Sequence, residues 1–264
     1  MLVPVALDEA YRPGPARAFL ADVLWGQYCL FQCIRLQDDV FDRHTADLAL
    51  VYASDQFLIE AERTYARHFS RSSRFWGVFH RALEATTLAI VRVDELQKRL
   101  GCGPARLARE YAKVGAIFKV GATAVCLKRR RPGNIAALDR FADDCAAGDQ
   151  ILDDLEDVED DLRRGRFNYV AQRICVRRAR GRADAEQAGR EIARALVLGD
   201  AAERILGDAG RHFARAALAA EGLGVPAVGA VAAAAGRSVR ELRQAFHRAQ
   251  VERVLGPILR GVSQ

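Results

Sequence analysis

Two runs of carboxylates carry the clearest capacity for chemistry in this chain. The first is Asp38-Asp39-Val40-Phe41-Asp42. On a helix Asp38 and Asp42 lie one turn apart on the same side, with Asp39 beside them. The second runs from Gly148 to Asp161. Its Asp149, Asp153, Asp157 and Asp160 fall at successive turns of one face, while Ile151, Leu155, Val158 and Leu162 make a separate apolar stripe. Like charges at this spacing oppose a helix by about a few tenths of a kcal/mol per pair, and by more once water is removed. A single acidic run reads as a solvated face. Two D-D-x-x-D runs, the first embedded in an apolar helix, read as paired carboxylate sets for hard divalent cations. Mg²⁺ keeps several waters, takes one or two carboxylates and completes its shell with substrate phosphate oxygens.

The elements that must position these acids are helices. Leu24 to Ile34, leading into the first set, is apolar nearly all round, the mark of a buried helix. Ile34 sits one turn before Asp38, with Leu30 and Phe31 two turns before it and the small Cys33 adjacent. A hydrocarbon tail attached to a phosphate at Asp38 is expected to run back along Leu30, Phe31, Cys33 and Ile34. The second set is preceded by Phe141, Ala142, Cys145 and Ala146, again apolar or small. The periodicity predicts helices over 15–43, 46–68, 73–100, 104–129, 135–163, 184–199, 201–222 and 226–256. No segment alternates with period two for long enough to argue a sheet. Residues 1–264 are read as one all-α domain, with half of the residues apolar and 8% aromatic.

Composition narrows the function. The formal charge is +6, but the distribution outweighs the total. Ten acids and no base lie between Asp143 and Asp161, and eight arginines and no acid between Arg163 and Arg182. A nucleic-acid module rarely sets its densest acidic block beside its basic one, so no nucleic-acid partner is expected. The cysteines show no C-x-x-C pair or zinc spacing, and the five histidines form no H-x-x-x-H pair. With no signal peptide and no stretch fit for stable membrane insertion, the expectation is a cytoplasmic protein. No Ser/His/Asp hydrolase signature and no Gly-rich phosphate loop after a strand is present. Lys128 to Arg131 reads as the surface end of a helix, and His44 as a residue close to the first acidic set.

In these two runs the chain resembles the isoprenoid synthase superfamily, the trans-prenyl diphosphate synthases and class I terpene cyclases. Asp38 to Asp42 matches the first aspartate-rich motif, and Gln150-Ile151-Leu152-Asp153-Asp154-Leu155-Glu156-Asp157-Val158 looks like the second. Ala53 to Ala61 is similar to the helix after the first motif, and Lys113 in Tyr111-Ala112-Lys113-Val114-Gly115 sits where the family places a diphosphate-binding lysine. The resemblance spans about residues 20–170.

The resemblance implies an all-α bundle around a central apolar cavity. It implies Mg²⁺, three ions with bound diphosphate, held by Asp38, Asp39, Asp42, Asp153, Asp154 and Asp157. Lys113 and Arg166 would bind the diphosphate, and Gln150 would join Leu30, Phe31, Cys33 and Ile34 in the substrate cavity. Arg163 and Arg164 are lesser candidates for phosphate contact. The family's chain-elongating members carry an arginine pair shortly after the first motif, whereas Asp42 is followed here by Arg43-His44-Thr45-Ala46. The combination points to a terpene synthase that ionises one allylic prenyl diphosphate of C15 to C25 length, best C20, and cyclises the carbocation. The alternative is a prenyltransferase that adds isopentenyl diphosphate. The implied partner is the small-molecule prenyl diphosphate, with a homodimer as the expected assembly.

Overall fold

A computed structural model describes residues 2–11, 17–41, 45–175 and 185–262, apart from the side chains of 175, 185–187 and 249–262. The helices are α1 (Leu2–Tyr11), α2 (Arg17–Phe41), α3 (Ala49–Ala66), α4 (Arg74–Gln97), α5 (Pro104–Val114) and α6 (Val120–Lys128). They continue with α7 (Ile135–Glu156), α8 (Val158–Arg163), α9 (Tyr169–Cys175), α10 (Ala185–Leu198), α11 (Ala201–Glu221) and α12 (Pro226–Val262). No strand occurs among the described residues.

Local chemistry sets the boundaries. Ser73 caps α4 by accepting a hydrogen bond from the Phe75 amide at 3.2 Å. Pro104 opens α5 after Gly103, whose φ of +83° suits glycine. α6 ends in a Schellman motif: the Arg131 amide reaches the Cys126 carbonyl at 2.7 Å and the Arg130 amide the Leu127 carbonyl at 3.2 Å. Arg130 holds the left-handed position, φ +57°, that glycine usually takes there. α8 closes in the same way around Gly165, φ +73°, and throws Arg166 back across the bundle with its amide on the Asp161 carbonyl at 2.8 Å.

The structure departs from the periodicity in four places. α1 and the short α9 lie where no helix was expected, α1 carrying proline and α9 spanning too few turns to show a period. The segment 104–129 is two helices separated by a 3-10 turn, Gly115–Lys119. The segment 135–163 breaks at Asp157, so Asp160 leaves the acidic line of α7 and pairs on α8 with Arg163. Of the basic run Lys128 to Arg131, Arg129 is buried rather than superficial. It holds Asp8 of α1 at 2.6 Å and thereby docks the first helix.

Packing divides the interior into two apolar clusters. The first joins α1, α2, α3, the first half of α4, α6, the start of α7 and the end of α11, around Leu30, Tyr65, Phe75, Phe79, Val120 and Phe141. The second joins the end of α4, α5, the second half of α7, α9, α10 and the start of α11, around Leu107, Tyr111, Ile151, Ile192, Ile205 and Phe213. The α2–α3 hairpin contributes to the first cluster alone, and no described residue of α2 beyond Ile34 belongs to either. Its far end therefore stands apart from the second core.

Candidate active site

The 3-10 turn is the hub of the site. Thr86 of α4 stitches it, donating its hydroxyl to the Val114 carbonyl and accepting the Ile117 amide, both at 3.1 Å. Gln27 of α2 donates to the Ile117 carbonyl at 3.1 Å and accepts the Gly121 amide at 2.8 Å. One turn along α2, the Phe31 ring meets Phe118 of the turn at a centroid distance of 6.0 Å. From the other side, Lys119 pairs with Asp139 and Asp143 of α7 at 3.1 and 3.2 Å. Gly115 lies so close to α7 that a β-carbon there would stand 2.2 Å from that of Ala146. Further still, the Tyr111 hydroxyl reaches Asp154.

These contacts fix direction. Residue numbers fall along α6, the turn and α5 while they rise along both α2 and α7, so α2 and α7 are parallel and each runs antiparallel to α5–α6. Both pack on the turn and on α6, and at most marginally on each other. At a rise of about 1.5 Å per residue, Asp38 lies about 16 Å beyond Gln27, and Asp153 about 10 Å beyond Ala146. Ala146 is itself about a turn beyond the level of Gln27. The two acidic sets therefore emerge at the same end, beyond the 3-10 turn. The face of α2 that leads to Asp38 carries Gln27, Phe31 and Ile34; that of α7 carries Ala142, Ala146, Asp149, Asp153 and Asp157.

In the first set Asp38 and Asp39 are half-buried, and Asp39 lies 3.4 Å from Arg35. Asp42, with Arg43 and His44, lies outside the described residues. In the second set Asp153 and Asp157 are exposed. Loss of water, then Asp153, pushes the Asp149 carboxyl up to about 6. The Asp153 carboxyl is raised by loss of water and then by Glu156 and Asp157. Asp149, Asp153 and Asp157 have no lysine, arginine or histidine partner among the described residues. A line of carboxylates with no counter-ion among the described residues repels itself, and a divalent cation would relieve it. Among the described residues no three His, Cys, Asp or Glu side chains converge on one point. This donor set suits an ion that completes its shell with water and phosphate oxygens.

Asp154 corrects one expectation. It is 3% exposed and turned into the second core, away from the line of Asp149, Asp153 and Asp157. Its Oδ2 accepts from the Tyr111 hydroxyl at 2.5 Å and from the Tyr169 amide at 2.7 Å. Gln150, expected to line the cavity, is half-buried and directs Nε2 to Asp154 Oδ1 at 3.5 Å. Burial pushes the Asp154 carboxyl up to about 7 despite these donors. Arg166 donates Nε–H to Gln97 Oε1 at 3.0 Å, with Nη2 4.0 Å from Asp94. Lys113 stays on its own helix, 2.8 Å from Glu110. Arg163 pairs with Glu159 and Asp160.

The expected cavity wall also divides. Leu30 and Cys33 are fully buried core residues, and Cys33 meets Ser54 of α3 at 3.4 Å, so these two fill the α2–α3 contact instead of lining a cavity. Phe31, 41% exposed, and half-buried Ile34 lie on the face toward the 3-10 turn, where Phe118 is 50% exposed. Phe118 was not anticipated, nor were Gln97 and Tyr111. Their signal in the sequence is a polar group or large ring in an otherwise apolar helix face, which periodicity alone assigns to core.

Comparison with known proteins supports the fold. The chain is similar to the crystal structure of a polyprenyl synthase from Roseobacter denitrificans, with a TM-score of 0.71 over 91% of this chain and 84% of that one, at 18% identity. No protein-family model matches the chain, and no curated protein matches it in sequence. The fold is all-α, of the isoprenoid synthase type. Among the described residues no helix is long and apolar enough to cross a membrane.

Proposed function

We propose that this chain is a Mg²⁺-dependent class I terpene synthase that ionises an allylic prenyl diphosphate of C15 to C25 length, C20 best, and cyclises the resulting carbocation with release of diphosphate. The observation that carries the reading is the placement of two carboxylate sets on parallel helices, at one end of the bundle, with an aromatic-walled face leading to one of them. Asp38, Asp39 and Asp42 would hold Mg²⁺ on the α2 side, and Asp153 and Asp157, with Asp149 beside them, on the α7 side. Bound there, Mg²⁺ supplies positive charge that draws electrons from the allylic C–O bond. Lys113 and Arg166 add cationic charge toward the leaving diphosphate, stabilisation aimed at charge that develops as the bond breaks. Phe31, Ile34 and Phe118 wall the hydrocarbon and keep water from the carbocation.

The second reading is a prenyltransferase that condenses the allylic diphosphate with isopentenyl diphosphate. One observation favours it: the similar structure is that of a polyprenyl synthase. The missing arginine pair after Asp42 ranks it second. The two separate in one experiment. Purified protein is incubated with Mg²⁺ and C10 to C25 allylic diphosphates, with and without isopentenyl diphosphate, and the products are analysed for hydrocarbons and for longer diphosphates. Cyclic hydrocarbon or alcohol from one substrate supports the synthase. Elongation only when both substrates are present establishes the transferase. Activity undiminished by EDTA, or by Asp153→Ala with its helical circular dichroism intact, refutes both.

A further inference from the structure

Four side chains from four separate segments form one directional chain of hydrogen bonds beneath the second acidic set. Arg166 Nε–H donates to Gln97 Oε1 at 3.0 Å, Gln97 Nε2–H to the Tyr111 oxygen at 3.1 Å, and the Tyr111 hydroxyl to Asp154 Oδ2 at 2.5 Å. The order is forced at each step. Guanidinium can only donate, which fixes the Gln97 amide with Oε1 toward Arg166 and Nε2–H toward Tyr111; the phenol, its oxygen taken by that N–H, turns its own hydrogen to Asp154 Oδ2. The chain is anchored at its ends. Asp154 Oδ2 also takes the Tyr169 amide, and Asn168 donates both to the Asp154 carbonyl at 2.7 Å and to Asp161 at 2.8 Å. The Phe167 amide, next to Arg166, binds the Gln97 carbonyl at 2.6 Å. Tyr111 is 1% exposed and Gln97 4% exposed.

We propose that Tyr111 and Gln97 are positioning residues, a buried relay through which Asp154 on α7 and Arg166 on the loop after α8 are held in one fixed relation. Resting on the proposed function, this assigns Asp154 an interior role. It locks the turn of α7 that presents Asp153 and Asp157, and the same bonds aim the Arg166 guanidinium. A simple core-filling role for Tyr111 requires only its ring. It does not require the hydroxyl, nor a glutamine whose two ends are both engaged. Binding of a metal–diphosphate complex needs carboxylates and guanidinium in register, and errors of about an ångström there are costly.

The test is calorimetric binding of inorganic diphosphate in excess Mg²⁺ to the full chain, with the thermal transition recorded for every variant. Tyr111→Phe keeps the ring and removes the relay; Gln97→Leu removes it from the other side. Each is expected to weaken diphosphate binding about tenfold. Combining Tyr111→Phe with Arg166→Gln should give little more loss than the worse single change, because both break one relay. Where Tyr111→Phe itself fails to fold, Gln97→Leu with Arg166→Gln serves the same cycle. Unchanged affinity in the single variants, or strictly additive losses in the cycle, overturns the relay. Failure of the unaltered chain to bind Mg²⁺–diphosphate overturns the proposed function and the relay with it.

Discussion

Gly115 is the position where the smallest change should produce the largest displacement. An alanine there would bring two β-carbons to 2.2 Å, while ordinary contact begins at 3.4 Å, so α7 and the 3-10 turn must part by about 1.2 Å. The Ala142 carbonyl, 3.6 Å from the same point, leaves little room to slide. Overpacking of this kind costs about 1–3 kcal/mol, and backbone on both sides puts Gly115→Ala at the upper end. At about 2–4 °C per kcal/mol for a chain of this size, the melting temperature should fall by about 6–12 °C. Activity should suffer beyond stability. The shift moves the helix bearing Asp149 and Asp153 relative to the platform it shares with α2, and a misplacement of about 1 Å can cost about a hundredfold in rate. Moving the methyl group to the other side tests the cause: Gly115→Ala with Ala146→Gly removes the clash. It should recover all but about 1 kcal/mol, the helix penalty of glycine on α7. The assays are thermal unfolding and single-turnover release of diphosphate. A Gly115→Ala protein that melts as the unaltered chain does, or a double variant no better than the single, refutes the reasoning.

Other consequences can be measured separately. Asp149 and Asp154 hold their protons more tightly folded than unfolded, with folded values of about 6 and about 7 against an ordinary 3.8. The folded chain therefore binds more protons across that interval, and metal-free stability contributed by these groups rises as pH falls from about 7.5 toward about 4. Urea midpoints across this range should show a flatter acid gain in Asp149→Asn than in the unaltered chain; parallel curves contradict the assignment. Arg130→Gly should raise the melting temperature by about 2–4 °C, since glycine relieves about 1 kcal/mol of left-handed strain at a position whose Schellman bonds are already made; no gain refutes it. Ile34→Trp should shorten the accepted prenyl chain with modest loss of stability. Cys33→Trp should destabilise by about 1–3 kcal/mol and leave substrate preference alone, with product profile and melting temperature read together. The reverse pattern would place the hydrocarbon on the α3 side of α2.

The sequence discloses its helices well because amphipathic periodicity is a local signal, strong over the long spans of α2, α4, α7 and α11. The 3-10 turn is invisible in it. Gly115 and Phe118 look helical by pattern, and what breaks the helix is stitching from Gln27 and Thr86 more than 30 residues distant in sequence for Thr86 at the Ile117 amide, and further for Gln27. Asp153 and Asp154 show the same limit within the site. Adjacent and chemically identical, they leave the helix about 100° apart, one exposed and one buried, and only the partners of Asp154, Tyr111 and Tyr169, decide which faces inward. Leu30 and Cys33 were expected beside Phe31 and Ile34 because all four precede Asp38 in an apolar helix. Helix phase separates them only once α3 is known to cover one side. Arg166 is nominated by its place after the acidic set, whereas its aim toward Gln97 depends on the turn at Gly165 and cannot be read from the pattern.

The division of the interior into two clusters has a consequence for how the protein breathes. One acidic set rides on the α2–α3 hairpin, consolidated with the first cluster, and the other on the second half of α7, consolidated with the second. Elements that share few buried contacts open as separate cooperative units, and exchange their amide hydrogens accordingly. A ligand gripped by both sets clamps two such units together, and mass action then lends its binding energy to whichever unit opens more easily. Amides near Asp38 should gain protection out of proportion to those near the buried Ile151, so that the end of α2 beyond Ile34, which joins neither cluster, closes as the ligand's own doing.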